Sequence, residues 1–245
     1  WPKMKPVEKT VGFLIKRVAR RGKNILFYLV RPASRSEGGF ILLVHQKMTG
    51  HLLVGKWQIK DKKVIPTEPE ALNEKVNGYI HFILTLDNDW MIGLSDLRKF
   101  AKVVFGAKDE IENLPELKKL GSDALDPKFS FKKFGEKVKS KKKSVYQVLM
   151  DQEVISGIGN IYVNDILWEA EVYPFKPASN LKEKELEKIW QAIKKILTKA
   201  LKLRGTSTSD YRDTAGQPGA YTEARLAYDR EGMPCFRCGA KIKRL

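Results

Sequence analysis

Between Gly12 and about Phe105 the chain runs in short apolar stretches broken by turn residues. Asn24-Ile25-Leu26-Phe27-Tyr28-Leu29-Val30 and Phe40-Ile41-Leu42-Leu43-Val44 are examples, and such stretches predict β-strands. Ser36-Glu37-Gly38-Gly39 offers positions that tolerate positive φ between these two, as Asp87-Asn88-Asp89 does between strands expected over Tyr79 to Leu86 and Met91 to Leu94. The first half therefore predicts an antiparallel β domain. From Ile111 the pattern changes, with Pro115 and Pro127 in quick succession, which places a domain boundary near Gly106 to Leu114. Further on, Leu186, Ile189, Trp190, Ile193, Ile196, Leu197, Ala200 and Leu201 recur at the three-and-four spacing of one buried helical stripe. Ser179 or Asn180 can cap that helix, Glu183 suits its positive end, and Gly205 can end it in the left-handed conformation. Trp190 reads as core. From Thr206 to Leu245 the chain reads as a loop feeding a small terminal module.

Composition adds a partner to this outline. The 245 residues hold 46 Lys and Arg against 29 Asp and Glu, a formal charge of +17. Such a surface attracts polyanions, with nucleic acid as the leading partner and an anionic membrane surface as the competitor. No apolar run approaches the roughly 18 residues of a spanning helix and no secretory signal pattern occurs, so the expected location is cytoplasmic. One basic run stands out: Lys132, Lys133, Lys137, Lys139, Lys141, Lys142 and Lys143 meet only Glu136, which is either a solvated face or a phosphate-attracting surface. The only two cysteines, Cys235 and Cys238, have the spacing of half a metal knuckle rather than of a disulfide framework.

The segment with the most chemistry is Tyr146-Gln147-Val148-Leu149-Met150-Asp151-Gln152 through Gly157-Ile158-Gly159-Asn160-Ile161-Tyr162, which reads helix, glycine-bearing turn, helix. Gly157 and Gly159 let the backbone approach another group closely, and Asn160 sits where free amides and the positive dipole end face outward, a natural phosphate site. Asn160 could equally serve only as a cap. The flanking residues decide between these, because the segment resembles the helix-two-turn-helix signature of the formamidopyrimidine-DNA glycosylase family and its endonuclease-VIII relatives. Four more segments look like that family's in the same order: Arg20-Arg21-Gly22-Lys23, Val44-His45-Gln46-Lys47-Met48-Thr49-Gly50, Asp96-Leu97-Arg98-Lys99-Phe100, and Asp213-Thr214-Ala215-Gly216-Gln217-Pro218-Gly219. The resemblance spans essentially the whole chain.

The resemblance implies an α+β protein: an antiparallel β-sandwich over residues 1–108, a helix-two-turn-helix domain over 109–205, and a lesion-capping loop with part of a zinc finger over 206–245. It implies that double-stranded DNA carrying damaged bases or abasic sites is bound by a monomer. Met48 and Arg98 would fill the space left by an extruded base and Phe100 would wedge the stack. His45 and Asn160 would contact phosphates, Lys23 would lie beside the reaction centre, and Lys99 keeps the charge of a family arginine without its fork. The loop from Thr206 to about Ala224 would close over the flipped base. Cys235 and Cys238 would hold one structural zinc ion together with a second pair expected beyond Leu245. The family's nucleophile is an N-terminal proline followed by glutamate. Pro2 does not match it, since its nitrogen lies in the peptide bond to Trp1 and Lys3 follows. Tyr146 stands where some members carry a lysine. The expected activity is a glycosylase and abasic-site lyase for oxidised purines such as 8-oxoguanine and formamidopyrimidines. An endonuclease-VIII-like enzyme for oxidised pyrimidines, a non-catalytic damaged-DNA binder and a general nucleic-acid-binding protein are the alternatives.

Overall fold

Strand stretches that alternate around a shared apolar face must find a second such face, and here two sheets supply it to each other. The computed structural model describes residues 7–32, 39–61, 63–208 and 210–244. Trp1 to Lys3 and the expected connection at Ser36 to Gly38 fall outside them. The chain divides into two compact units, Trp1–Asn113 with Leu203–Thr222, and Leu114–Lys202 with Glu223–Leu245.

The first unit holds strands β1 (Leu14–Arg21), β2 (Asn24–Val30), β3 (Phe40–His45), β4 (Gly50–Lys60), β5 (Lys63–Glu68), β6 (Ile80–Thr85), β7 (Met91–Asp96) and β8 (Lys102–Ala107). They form two four-stranded sheets in the orders β1-β2-β3-β8 and β5-β4-β7-β6, and every pairing within them is antiparallel. Phe27, Leu29, Leu42, Val44, Val103 and Phe105 from one sheet meet Leu52 and Leu94 from the other in a single buried cluster, which makes the pair a sandwich. Helix α1 (Lys108–Glu112) covers the outer face of the first sheet, with Ile111 buried and Glu112 accepting a hydrogen bond from Tyr28. The turn expected at Asp87 to Asp89 forms between β6 and β7, where Leu86 N–H donates to the Trp90 carbonyl and Asp89 adopts positive φ.

One grouping expected from the sequence differs in the structure. The stretch from Thr206 to Thr222 folds with the sandwich rather than with the terminal module. Val54 N–H donates to the Thr214 carbonyl at 2.7 Å, Arg212 pairs with Glu74, and Tyr221 is fully buried. The loop closes on itself through Ala220 N–H to the Leu203 carbonyl and Tyr221 N–H to the Gly205 carbonyl, so its ends are stapled together.

In the second unit, α2 (Pro115–Lys118) and β9 (Ser122–Asp123) precede α3 (Phe131–Lys139), α4 (Val145–Met150), β10 (Ile155–Ser156), α5 (Asn160–Ala170) and α6 (Glu183–Lys202). Short parallel pairing of β9 with β10 ties the turn after α4 back to the chain before α3. The stripe on α6 is buried from Leu186 to Ala200 and packs on α5. Trp190 sits against Phe129 and Phe134 at ring-centroid distances of 5.3 and 5.2 Å. Leu201 departs from the expectation and is 65% exposed, because it falls on the margin of the stripe in the final turn. Neither Ser179 nor Asn180 caps α6, since both belong to a separate 3-10 turn. Glu185 serves instead, its carboxylate accepting from Lys182 N–H and pairing with Lys176 at 2.7 Å. Gly205 has the expected left-handed φ of 86°, shared with Arg204 at 57°.

Replacing Trp190 with alanine removes the centre of the aromatic cluster and leaves a cavity. The expected loss is about 3–5 kcal/mol in urea denaturation, with no change in the slope against denaturant.

Candidate nucleic-acid interface

The centre of the sandwich's site is a buried carboxylate. Asp96 ends β7 with no solvent exposure, and its two oxygens reach in different directions. Oδ2 accepts from Ala101 N–H at 2.7 Å, while Oδ1 accepts a very short hydrogen bond from the Thr49 hydroxyl and a longer one from Arg98 N–H at 3.3 Å. Its carbonyl accepts from Lys99 N–H. Hydrogen bonds to an ionised acceptor are the strong ones, so the turns that carry residues 97–101 and 46–50 are locked to one group. Gly50 is forced in the second turn, since a Cβ there would meet the Gln46 carbonyl oxygen at 2.4 Å.

What the lock holds outward is a surface with two large exposed apolar side chains. Met48 is 69% exposed and Phe100 48% exposed. Arg98 lies between them, its guanidinium 4.7 Å from the Phe100 ring centroid and 3.7 Å from the Met48 sulfur. Lys99, between Arg98 and Phe100 in sequence, has a positive φ of 57°. The structure thus brings together Met48, Arg98 and Phe100, which are 50 residues apart in the case of the Arg98 and Met48 contact.

Beside this group the strand ends gather cations. The turn at Gly22 and Lys23 joins β1 to β2, and His45 ends β3 opposite Lys102 of β8. Lys23 is exposed along much of its length, yet desolvation where it sits holds its ammonium below the ordinary lysine value. His45 is lowered to about 4, first by desolvation and then by Lys47, Lys23 and Lys102. Its Nδ1 accepts from Lys47 N–H at 3.0 Å, so the neutral ring carries its proton on Nε2. A neutral donor among three lysines is suited to a phosphate oxygen.

The loop of residues 213–219 rests on a second polar network. Asp213 Oδ1 accepts from Ala215 and Gln217 N–H, and Oδ2 pairs with Arg204 at 3.0 Å. Beneath it, buried Asn77 donates to the carbonyls of Ala71 and Gly216 and presents its oxygen to His51 Nε2 at 3.0 Å. Gly216 has φ of 81°, and a Cβ on it would meet Asn77 Nδ2 at 2.9 Å. Neither Asn77 nor His51 draws attention in the sequence, because the two lie 26 residues apart and meet only through the fold.

On the second unit, Gln152 organises the turn of the helix-turn-helix: its amide donates to the Met150 and Ile158 carbonyls and accepts from Gly157 N–H, all within 3.0 Å. Gly159 is the N-cap of α5, so Asn160 is its first helical residue and not the cap. The Asn160 side chain is exposed, and its Oδ1 accepts from the Tyr146 hydroxyl at 2.5 Å. That bond orients the amide so that both Nδ2 hydrogens remain available beside the positive end of the helix.

Cys235 and Cys238 lie in a hairpin closed by Cys235 N–H to the Ala240 carbonyl and Gly232 N–H to the Ile242 carbonyl. Backbone N–H groups of Arg237 and Cys238 hold the Cys235 thiol down to about 7, as a thiolate-binding turn requires. The module is anchored to α5 by buried Asp165, which accepts from Ala227 and Tyr228 N–H, and by Arg237, which stacks on Trp168 at 4.3 Å and pairs with Glu171. The two sulfurs fit half of a tetrahedral zinc site. Among the described residues no group of three or more His, Cys, Asp and Glu comes together to complete one.

An antiparallel sandwich and a helix-turn-helix unit in this order are the fold of a class of DNA-repair proteins. Residues 3–103 match the formamidopyrimidine-DNA glycosylase N-terminal domain and residues 120–212 match that family's H2TH domain. The formamidopyrimidine-DNA glycosylase of Moorella thermoacetica is 32% identical over 234 residues, covering 96% of this chain and 77% of that one. The structure of the MutM (Fpg) protein from Thermus thermophilus matches with a TM-score of 0.79 at 29% identity, over 99% of this chain and 82% of that one. Fpg of Lactococcus lactis, solved with DNA containing an abasic site, matches with a TM-score of 0.77 at 28% identity, over 96% and 78%. The chain belongs to the formamidopyrimidine-DNA glycosylase family.

Two outcomes test the local chemistry. An NMR titration places the His45 midpoint near 4 rather than near 6.5. Because the folded value is depressed, the stability linked to this group is present above about 6.5 and declines as pH falls from there through 4. Tyr146→Phe frees the Asn160 amide to rotate, so duplex affinity falls by about five-fold, the worth of one neutral hydrogen bond, with no change in salt dependence.

Proposed function

We propose that this chain acts in DNA base-excision repair as a glycosylase and abasic-site lyase for oxidised purines, 8-oxoguanine and formamidopyrimidines. The observation that carries the reading is the exposed Met48, Arg98 and Phe100 group locked to Asp96. Turning a nucleotide out of a duplex costs a few kcal/mol in lost stacking. Full burial of a Met or Phe side chain returns about 1.5–3 kcal/mol each. The two together are of the size needed, and the guanidinium adds a donor for the orphaned partner base. Pre-stacking of Arg98 on Phe100 means that little side-chain freedom is lost on insertion.

In this reading the remaining residues grip the strand. His45, through its Nε2 proton, and Lys23 hold phosphates near the extruded sugar, and Lys23 stands beside the reacting centre as a cation that gives up its proton more readily than an ordinary lysine. Lys99 adds charge alongside the wedge. Asn160 holds a further phosphate by its oriented amide. The loop from Thr206 to about Ala224, braced by Asp213 and Asn77, receives the damaged base through its backbone. The amine that attacks the sugar is assigned to none of the residues in this sequence. Cys235 and Cys238 are two ligands of a structural zinc site, and a bound ion would cross-link the terminal hairpin. No helix among the described residues is long and apolar enough to cross a membrane, and a cytoplasmic location is part of the same proposal.

The test is lesion preference. Phe100→Ala and Arg98→Ala each reduce the preference for 8-oxoguanine duplex over undamaged duplex by about ten-fold or more, the equivalent of one buried side chain. Unchanged preference in both variants refutes the assigned wedge. Borohydride trapping of the natural protein on 8-oxoguanine and oxidised-pyrimidine duplexes reads the chemistry, and absence of adduct on either leaves a damaged-DNA binder instead of an enzyme.

A further inference from the structure

The lysine run before α4 has no role in the site described above. Ser130 caps α3 by accepting from Lys133 N–H. Phe134 and Val138 are buried and turn one face of α3 inward. Lys132, Lys133 and Lys139 are exposed on the rest of it, and Lys141, Lys142 and Lys143 follow, exposed, after the helix ends at Ser140. Among the described residues none of these six forms an ion pair, whereas Lys176, Lys188 and Lys195 of the same unit pair with Glu185, Glu171 and Glu169 at 2.7–2.8 Å. The second unit therefore neutralises its lysines in one place and leaves them bare in another. At a Debye length of about 8 Å, cations packed along one short helix and its following loop repel each other, and the run has a net charge only Glu136 offsets.

The run also leads straight into the phosphate-facing group. The Lys143 carbonyl accepts from Ala178 N–H, Ser144 caps α4, and Tyr146 of α4 holds Asn160. A nine-residue helix is about 13 Å long, and duplex DNA carries one charge per about 1.7 Å of axis, so this edge spans several phosphates. We propose that Lys132 to Lys143 forms a second contact for duplex DNA, to the sugar-phosphate backbone flanking the damaged site, continuing the line of the Asn160 contact. The inference rests on the proposed glycosylase reading for the direction of the DNA along this edge. Its contribution is blind to sequence and lesion: it raises affinity and the rate of encounter without discriminating one base from another.

The experiment is a salt series of duplex binding by anisotropy, comparing the unmodified protein with a variant carrying Lys139→Gln, Lys141→Gln, Lys142→Gln and Lys143→Gln, on damaged and undamaged duplexes of equal length. Each lost contact lowers the magnitude of the slope of log K against log salt by about 0.9, so a fall of about 3.6 is expected on both duplexes, with their affinity ratio unchanged. The same four positions changed to arginine should keep the slope, which separates charge from folding. An unchanged slope in the glutamine variant overturns the proposal, as does a loss confined to single-stranded RNA or anionic vesicles. If the unmodified protein has no lesion preference, the glycosylase reading fails. The slope of the glutamine variant then still decides whether this edge binds duplex DNA.

Discussion

The recognition surface of the sandwich depends on one buried carboxylate. Asp96 has no contact with solvent, and it closes two turns from different parts of the chain by accepting from Thr49, Arg98 and Ala101. So buried a polar group is tolerated because both of its oxygens have protein donors. The return is positional: Met48 and Phe100 stand exposed, at a cost in solvation, yet cannot collapse back onto the sheet.

A second design principle concerns where charge is cancelled. The basic excess is spread over the whole chain, but Lys176 and Lys195 are paired with Glu185 and Glu169 on the packed helices, and Arg237 is paired with Glu171 where the terminal module docks on α5. Around His45, burial first and the charges of Lys47, Lys23 and Lys102 after it disfavour protonation of the ring. The neutral imidazole, with Nδ1 accepting from Lys47 N–H, presents Nε2 as a directed hydrogen-bond donor in this cationic setting.

The loop over residues 203–222 shows how a mobile-looking sequence can be ordered by polar groups. Gly, Ser, Thr and Asp dominate it, and it has almost no apolar residue to bury except Tyr221. Its order comes from Asp213 folding the chain around its own carboxylate and from Asn77 reaching up from beneath. The ends are joined by backbone hydrogen bonds, so the tip can change shape without loosening the base.

Much of this was legible in the residues. The strand boundaries of β2 and β3, the stripe of α6 with Trp190 in the core, and the turn between β6 and β7 all follow from periodicity and turn chemistry, because those depend on neighbours close in sequence. The candidate wedge was readable too, but only by resemblance: hydropathy alone would bury Met48 and Phe100. Local pattern failed where a distant partner decides. Leu201 is apolar at nearly the right spacing and still faces water, since it falls on the margin of the stripe while Leu197 and Ala200 beside it are buried. Glu185 caps α6 because Lys176 holds it, and the stretch from Thr206 to Thr222 joins the sandwich because Val54, Glu74 and Asn77 bind it. The chain by itself determined which segments are strands and helices and that a polyanion is the partner. Only tertiary structure decided which side chains meet, because hydrogen bonds and burial between residues dozens of positions apart leave no period in the sequence.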